Sequence, residues 1–166
     1  PRVLAALKAN AEALAAEGAV GLSTSCGFLA LYQDDLASVS SVPVATSALL
    51  HIKQLKDKKV GVITASSGNL TPAHFEAVGA PGDTPFVGLP EDSSFAGTFL
   101  RNGLTLDRDV VEREVVAAGG ALVARHPGID TVGLGCTNLP PYKEALERDL
   151  GLPVVHFGCM NAGPDV

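Results

Sequence analysis

Cys26 and Cys136 stand in the contexts Thr24-Ser25-Cys26-Gly27-Phe28 and Gly135-Cys136-Thr137-Asn138, each after a short apolar run and before a helix-like pattern. A thiol placed where a parallel strand hands over to a helix lies at the carboxyl edge of the sheet, where open α/β folds bind their ligands. Backbone N–H groups at the helix start favour thiolate over thiol there and also bind carboxylates. Two such sulfurs on opposite sides of one carbon can remove a proton next to a carboxylate and return one to the other face, which is racemase or epimerase chemistry. Without such a context a free cysteine reads as a small buried hydrophobe. That is the reading for Cys159, whose counterpart by spacing is Leu49.

Other groups gather around the same sheet edge. Thr64, Ser66, Ser67 and Asn69 follow another predicted strand and open another helix, a polar cluster suited equally to a substrate carboxylate and to helix capping. Thr137 and Asn138 carry hydroxyl and amide groups that can meet the charge of a carbanion, and Thr24, Ser25 and Gly27 complete the candidate substrate-binding set. His51, His74, His126 and His156 show no ligand spacing, so no metal is expected. Asp34, Asp35, Glu144 and Glu147 read as solvated helix faces, and Tyr32 and Tyr142 as packing residues. Gly61 and Gly68 do not complete a dinucleotide fingerprint and no phosphate-binding P-loop is present, so no cofactor is expected.

The elements that must position these groups alternate along the chain. Helical spacing runs from Pro1 to Gly18, strand-like runs cover Ala19–Thr24, Val42–Thr46, Lys59–Thr64, Thr84–Gly88, Thr131–Gly135 and Pro153–Phe157, and helical patterns lie between them. Glu91–Arg101 reads as a polar loop able to fold over a site. Asp107 caps a helix that Gly119-Gly120 should end, with a brief strand at Ala121–Ala124. The class is α/β with parallel sheets flanked by helices.

An internal repeat sharpens this reading. With Cys26 laid on Cys136 without gaps, Leu29 falls on Leu139, Tyr32 on Tyr142, Leu36 on Leu146, Pro43 on Pro153 and Val44 on Val154. Leucines alone would match in any strand–helix–strand unit, but Tyr and Pro in register mark two similar lobes. From Lys59 to Cys136 is 77 residues, whereas from Pro1 to Cys26 is only 25. If the lobes are equivalent, an opening strand and helix of the first are missing, and its sheet is short.

Composition narrows the partners. The 166 residues are 46% hydrophobic and 18% charged, with 12 Lys plus Arg against 18 Asp plus Glu, a formal charge of −6. Such a chain can bury a core and offers no basic face for nucleic acid. No apolar run approaches the roughly 18 residues of a membrane span, no signal peptide opens the chain, and three scattered cysteines fit a reduced, cytoplasmic setting.

The two cysteine motifs, of which GCTNLPPY is the more specific, resemble those of the Asp/Glu/hydantoin racemase superfamily, in order and spacing from Ala19 to about Phe157. The resemblance implies paired α/β lobes about a pseudo-twofold axis, one cysteine from each lobe facing a small carboxylate-bearing substrate, catalysis without pyridoxal phosphate, and a homodimer. Relatives implied alongside the amino-acid and hydantoin racemases are maleate isomerase and arylmalonate decarboxylase; a non-catalytic binding homologue is the alternative of another class. Asn138 stands where glutamate racemases carry histidine, and Gly27-Phe28 replaces an Asn-Thr pair, so the substrate stays open. On this reading residues 1–56 form the first lobe, 57–158 the second, and 159–166 return towards the first.

Overall fold

Leu4, Leu7 and Ala11 share one side of α1 (Arg2–Ala16), and Ala11 is buried in one cluster with Leu36 and Val44. Gly18, at φ +98°, turns the chain away in a conformation that costs glycine no Cβ clash. The computed structural model describes residues 2–156. After α1 come β1 (Leu22–Ser23), a 3₁₀ turn (Gly27–Tyr32) running into α2 (Gln33–Ala37), β2 (Val44–Ala45) and α3 (Leu50–Gln54). The chain continues through β3 (Val60–Thr64), a 3₁₀ turn (Ser67–Asn69), α4 (Pro72–Glu76), β4 (Phe86–Gly88), α5 (Ser94–Phe99) and α6 (Arg108–Arg125). It then passes through β5 (Thr131–Leu134), a 3₁₀ turn (Pro140–Tyr142), α7 (Lys143–Leu150) and β6 (Val154–Val155).

All strand pairs are parallel, in a two-stranded sheet β1-β2 and a four-stranded sheet β4-β3-β5-β6. The α/β class read from the sequence is the observed one. Every residue of β3 and β5 is buried, as expected of central parallel strands covered on both faces. Ile63, Phe95, Val111, Val115, Leu122 and Leu146 form the core on one face. On the other face Ala30 and Ile52 of the first half pack with Val60, Val62 and Phe75 of the second, which welds the two sheets together.

The repeat survives as geometry. Leu22 pairs with Val44 as Val132 pairs with Val154, and the N–H of Leu22 reaches the Pro43 carbonyl at 2.8 Å as that of Val132 reaches Pro153 at 2.9 Å. Tyr32 and Tyr142 occupy the same turn, at φ −107°, ψ 14° and φ −103°, ψ 6°.

Three sequence expectations need correction. Residues 91–101 are not a loop throughout, because α5 forms there. Its first N–H groups are satisfied by Ser93 Oγ, at 3.1 Å from Ala96 N, and by the Glu114 carboxylate, at 2.7 Å from Ser94 N and 3.1 Å from Phe95 N. Helix α6 does not end at Gly119-Gly120 but continues to Arg125. Two helical glycines cost about 2 kcal/mol, less than the roughly 1.5–3 kcal/mol apiece from burying Val111, Val115 and Leu122 on the same helix. No strand forms at residues 121–124, which complete that helix. The pairing of the expected strands is also shorter at their ends; β1, with a partner on one side only, is reduced to two residues. Phe157, Cys159 and the expected returning segment 159–166 lie outside the described residues. Among the described residues no helix is long and apolar enough to cross a membrane.

Candidate active site

Each cysteine follows its strand and opens a tight turn: the N–H of Leu29 bonds the Cys26 carbonyl at 3.0 Å, and that of Leu139 bonds the Cys136 carbonyl at 3.1 Å. The elements that follow are 3₁₀ turns before short α-helices, rather than helices from the outset. The two turns meet backbone to backbone. A Cβ built on Gly27 would stand 2.1 Å from the Gly135 carbonyl oxygen, so only glycine permits this approach. Thr137 Oγ1 donates to the Ser25 carbonyl at 2.8 Å. Residue 25 thus touches 137 and residue 27 touches 135, which brings Cys26 and Cys136, the residues between, opposite one another.

The environments of the two sulfurs differ. Cys26 is exposed, while Cys136 is half-buried against the main core. Burial pushes the Cys136 thiol up; the Asn138 backbone N–H opposes that, and the charge of Cys26 adds to it. The last effect means that the two sulfurs sense each other, so negative charge on one favours a proton on the other.

The remaining sequence candidates divide by what their side chains do. Thr24 Oγ1 is committed to the Thr46 carbonyl at 2.6 Å, with the Cys26 carbonyl at 3.2 Å, and Thr137 is committed to Ser25. Both hold the loops rather than offering a hydroxyl proton to a ligand. Thr64 and Ser66 are buried and Ser67 and Asn69 exposed after β3. Ser66, the residue before the 3₁₀ turn, makes no side-chain cap, so the capping alternative does not account for it. Gly88 presses close here, since a Cβ on it would stand 2.0 Å from Ser67 N. Asn138 is exposed and gives its backbone N–H to the Cys136 sulfur.

Sequence reasoning missed the supporting residues. Buried Thr46 presents its N–H and hydroxyl to Gln33 Oε1 at 3.0 and 2.7 Å, and Gln33 Nε2 donates to the Val44 carbonyl at 2.8 Å. Buried Ser47 caps Leu49 N at 3.2 Å, and its hydroxyl lies 3.6 Å from where a Gly27 Cβ would sit. Ser47, a polar residue directly after a predicted strand, carried a signal that could have found it; Thr46, inside the predicted strand, and Gln33, inside a helical pattern, did not. His74, in a capping box with Thr71, has its ring 6.2 Å from that of Phe28 and is structural. His51 is buried, with Nε2 unpartnered among the described residues; burial, then the charge of His156, holds its pKa down. Among the described residues no cluster of three or more His, Cys, Asp or Glu could hold a metal ion.

Comparison with known proteins adds three findings. Residues 42–158 match the family described as Asp/Glu/Hydantoin racemase. Dimethylsulfoniopropionate lyase 5 of Emiliania huxleyi (strain CCMP1516) is 33% identical over 154 residues, 85% of this chain and 30% of that protein. Dimethylsulfoniopropionate lyase of Durusdinium sp. clade D is 30% identical over 166 residues, 93% of this chain and 54% of that protein. The chain therefore spans about half or less of these curated relatives. Among solved structures, arylmalonate decarboxylase superposes with a TM-score of 0.65 at 20% identity, covering 93% of this chain and 70% of that one, a likeness of fold.

Proposed function

The chain belongs to the Asp/Glu/hydantoin racemase family, and we propose that it acts on a small carboxylate substrate by removing the proton from the carbon beside the carboxylate, with Cys26 and Cys136 handling that proton. The observation that supports this reading is the crossed contact of the two turns, Ser25 with Thr137 and Gly27 with Gly135, between which lie exposed Cys26 and half-buried Cys136. Burial and the neighbouring charge both keep the proton on Cys136, so in this reading Cys136 takes the role of acid and the exposed Cys26 that of base.

Lyase chemistry is favoured over the racemisation expected from the motifs alone, since the curated relatives named above are lyases across most of this chain. With a propionate bearing a sulfonium group on its β-carbon, the Cys26 thiolate takes the α-proton and the released electron pair becomes the Cα–Cβ double bond. The Cβ–S bond breaks, dimethyl sulfide leaves with its electrons, and acrylate remains. Cys26 then returns its proton to water. Asn138 and the hydroxyls of Ser66 and Ser67 flank the same sheet edge and supply polar contacts for the carboxylate. Racemisation uses the same first step and adds return of a proton from Cys136 to the opposite face, so the opposed positions of the two cysteines support it as the second reading.

One experiment separates them. The protein is incubated in deuterium oxide with dimethylsulfoniopropionate and, separately, with single enantiomers of amino acids and hydantoins. Dimethyl sulfide and acrylate released in equal amounts, and lost in Cys26→Ser, support elimination. Deuterium entering the α-carbon of an enantiomer with loss of optical rotation supports racemisation instead. Neither signal with any substrate removes the proton-transfer reading altogether.

A further inference from the structure

One cavity of the described molecule lies away from the cysteines. About 870 Å³ in volume, it opens at the amino ends of β3 and β5, the opposite end of the sheet, between the loop after α3, the loop before β4 and the loop after α6. Lys53, Lys56, Lys58, Lys59 and Arg125 line it, against a single acidic residue, Asp83.

That concentration is out of proportion to the chain. Five of its 12 Lys and Arg line this one cavity, leaving seven cations against 17 carboxylates for all the rest. None of the five is in an ion pair: the ion pairs among the described residues involve Lys8, Lys143 and Arg148. Asp130, nearby in the fold, accepts through one carboxylate oxygen from the Lys59 N–H and the Thr131 hydroxyl, at 3.1 and 2.9 Å. The stems of two lysines are seated by glycines. Lys53 Cδ lies 3.3 Å from where a Cβ on Gly79 would be, at a φ of +72° that favours glycine, and Lys59 Cδ lies 3.7 Å from the equivalent point on Gly128. Beneath the cations the lining is apolar, with Ile52, Leu55, Val60 and Ile129.

We propose that this groove binds a small organic polyanion, carrying a phosphate chain or several carboxylates on an apolar body. The five cations, each solvent-exposed, converge on one concavity and give it a positive potential that such a ligand would neutralise. The volume falls within the range of roughly 300–1,000 Å³ typical of small-molecule sites, and the apolar floor gives the body of the ligand a surface to cover. A long polyanion fits less well. Duplex nucleic acid or an anionic membrane would extend past the groove onto a surface whose remaining charge is strongly negative. The site lies at the end of the sheet opposite the cysteines and does not rest on the reaction proposed for them.

The test is calorimetric titration and thermal unfolding of the full chain with ADP and with inorganic pyrophosphate, in low and moderate salt. Saturable binding of ADP is expected, weaker for pyrophosphate, weakened by salt, and reduced at least tenfold in the combined variant Lys53→Gln, Lys56→Gln, Lys59→Gln. The variant's cysteines should react with a thiol reagent at the parental rate, which shows that the fold is kept; if they do not, Arg125→Gln alone is used, with an expected several-fold loss. The proposal is overturned if neither probe binds at millimolar concentration, if the variants bind as well as the parent, or if duplex DNA or phosphatidylserine vesicles bind more tightly than ADP.

Discussion

The two strand–cysteine–helix–strand units, residues 22–45 and 132–155, share strand register, turn conformation and a buried leucine, Leu36 in one and Leu146 in the other, yet place their sulfurs in different surroundings. The second unit is built into a four-stranded sheet, with β5 between β3 and β6 and wholly buried. The first rests in a two-stranded sheet, beside exposed Val20 and Leu31. Even their internal ties differ. Gln33 anchors β2 by donating to the Val44 carbonyl, whereas Glu147, paired with Lys143, anchors β6 by accepting from the Val154 N–H at 3.0 Å. Position 37, equivalent to Glu147, is Ala, and position 143, equivalent to Gln33, is Lys. Similar local sequence therefore sets where each thiol stands, while the neighbours of each unit set how far it is buried.

The sharpest way to break this comparison is to exchange the sulfurs' roles. Cys26→Ser should lower the rate of dimethyl sulfide release by about 10²–10⁴-fold, the usual worth of a positioned acid–base group. Under elimination Cys136→Ser should cost less than Cys26→Ser; equal losses from the two would instead favour racemisation. Gly27→Ala should come next, because its Cβ would strike the Gly135 carbonyl. A loss of about 3 kcal/mol in denaturant unfolding is expected from such overpacking. Gly120→Ala, with nothing within 4 Å of the new Cβ, should leave stability equal or raise it by up to about 1 kcal/mol.

Smaller effects test the asymmetry itself. Burial raises the Cys136 pKa in the folded protein. The protonated thiol is then favoured by folding, and its contribution is complete below the unfolded thiol's pKa. As pH rises through the ordinary thiol range the unfolded state loses its proton first, so stability should fall. Unfolding midpoints across that range should decline in the parent and decline less in Cys136→Ser. A parental midpoint that rises with pH there would contradict the assigned burial. Smallest of all, Thr137→Val removes one hydrogen bond between the units, for about 1 kcal/mol. It should also make Cys136 react faster with a thiol reagent, as the turns separate.

Much of the fold was legible because it is local. The alternating apolar runs and helical spacings identified the α/β class, and the repeat found the two turns that meet. What escaped was decided by partners distant in the chain. Helix α5 needs Glu114, 20 residues on from Ser94, to satisfy its first N–H groups. Helix α6 runs through Gly119 because α7 must come close: a Cβ there would stand 2.7 Å from Leu146 Cδ2. Gln33 and Thr46 escaped for the same reason, since each finds its partner in the other's element, 11 to 13 residues away. The lysines at 53–59 are plain in the sequence, but their convergence with Arg125 on one cavity is not.

Residue types and their spacing were enough to select the two cysteines, the turns that carry them and the parallel α/β class, because these follow from local periodicity and a repeated pattern. The unequal burial of the two cysteines, the glycine contact that brings their turns together and the cationic groove at the other end of the sheet came only with folding. Burial and electrostatic potential are sums over neighbours that the chain assembles from distant positions, and no stretch of sequence contains them.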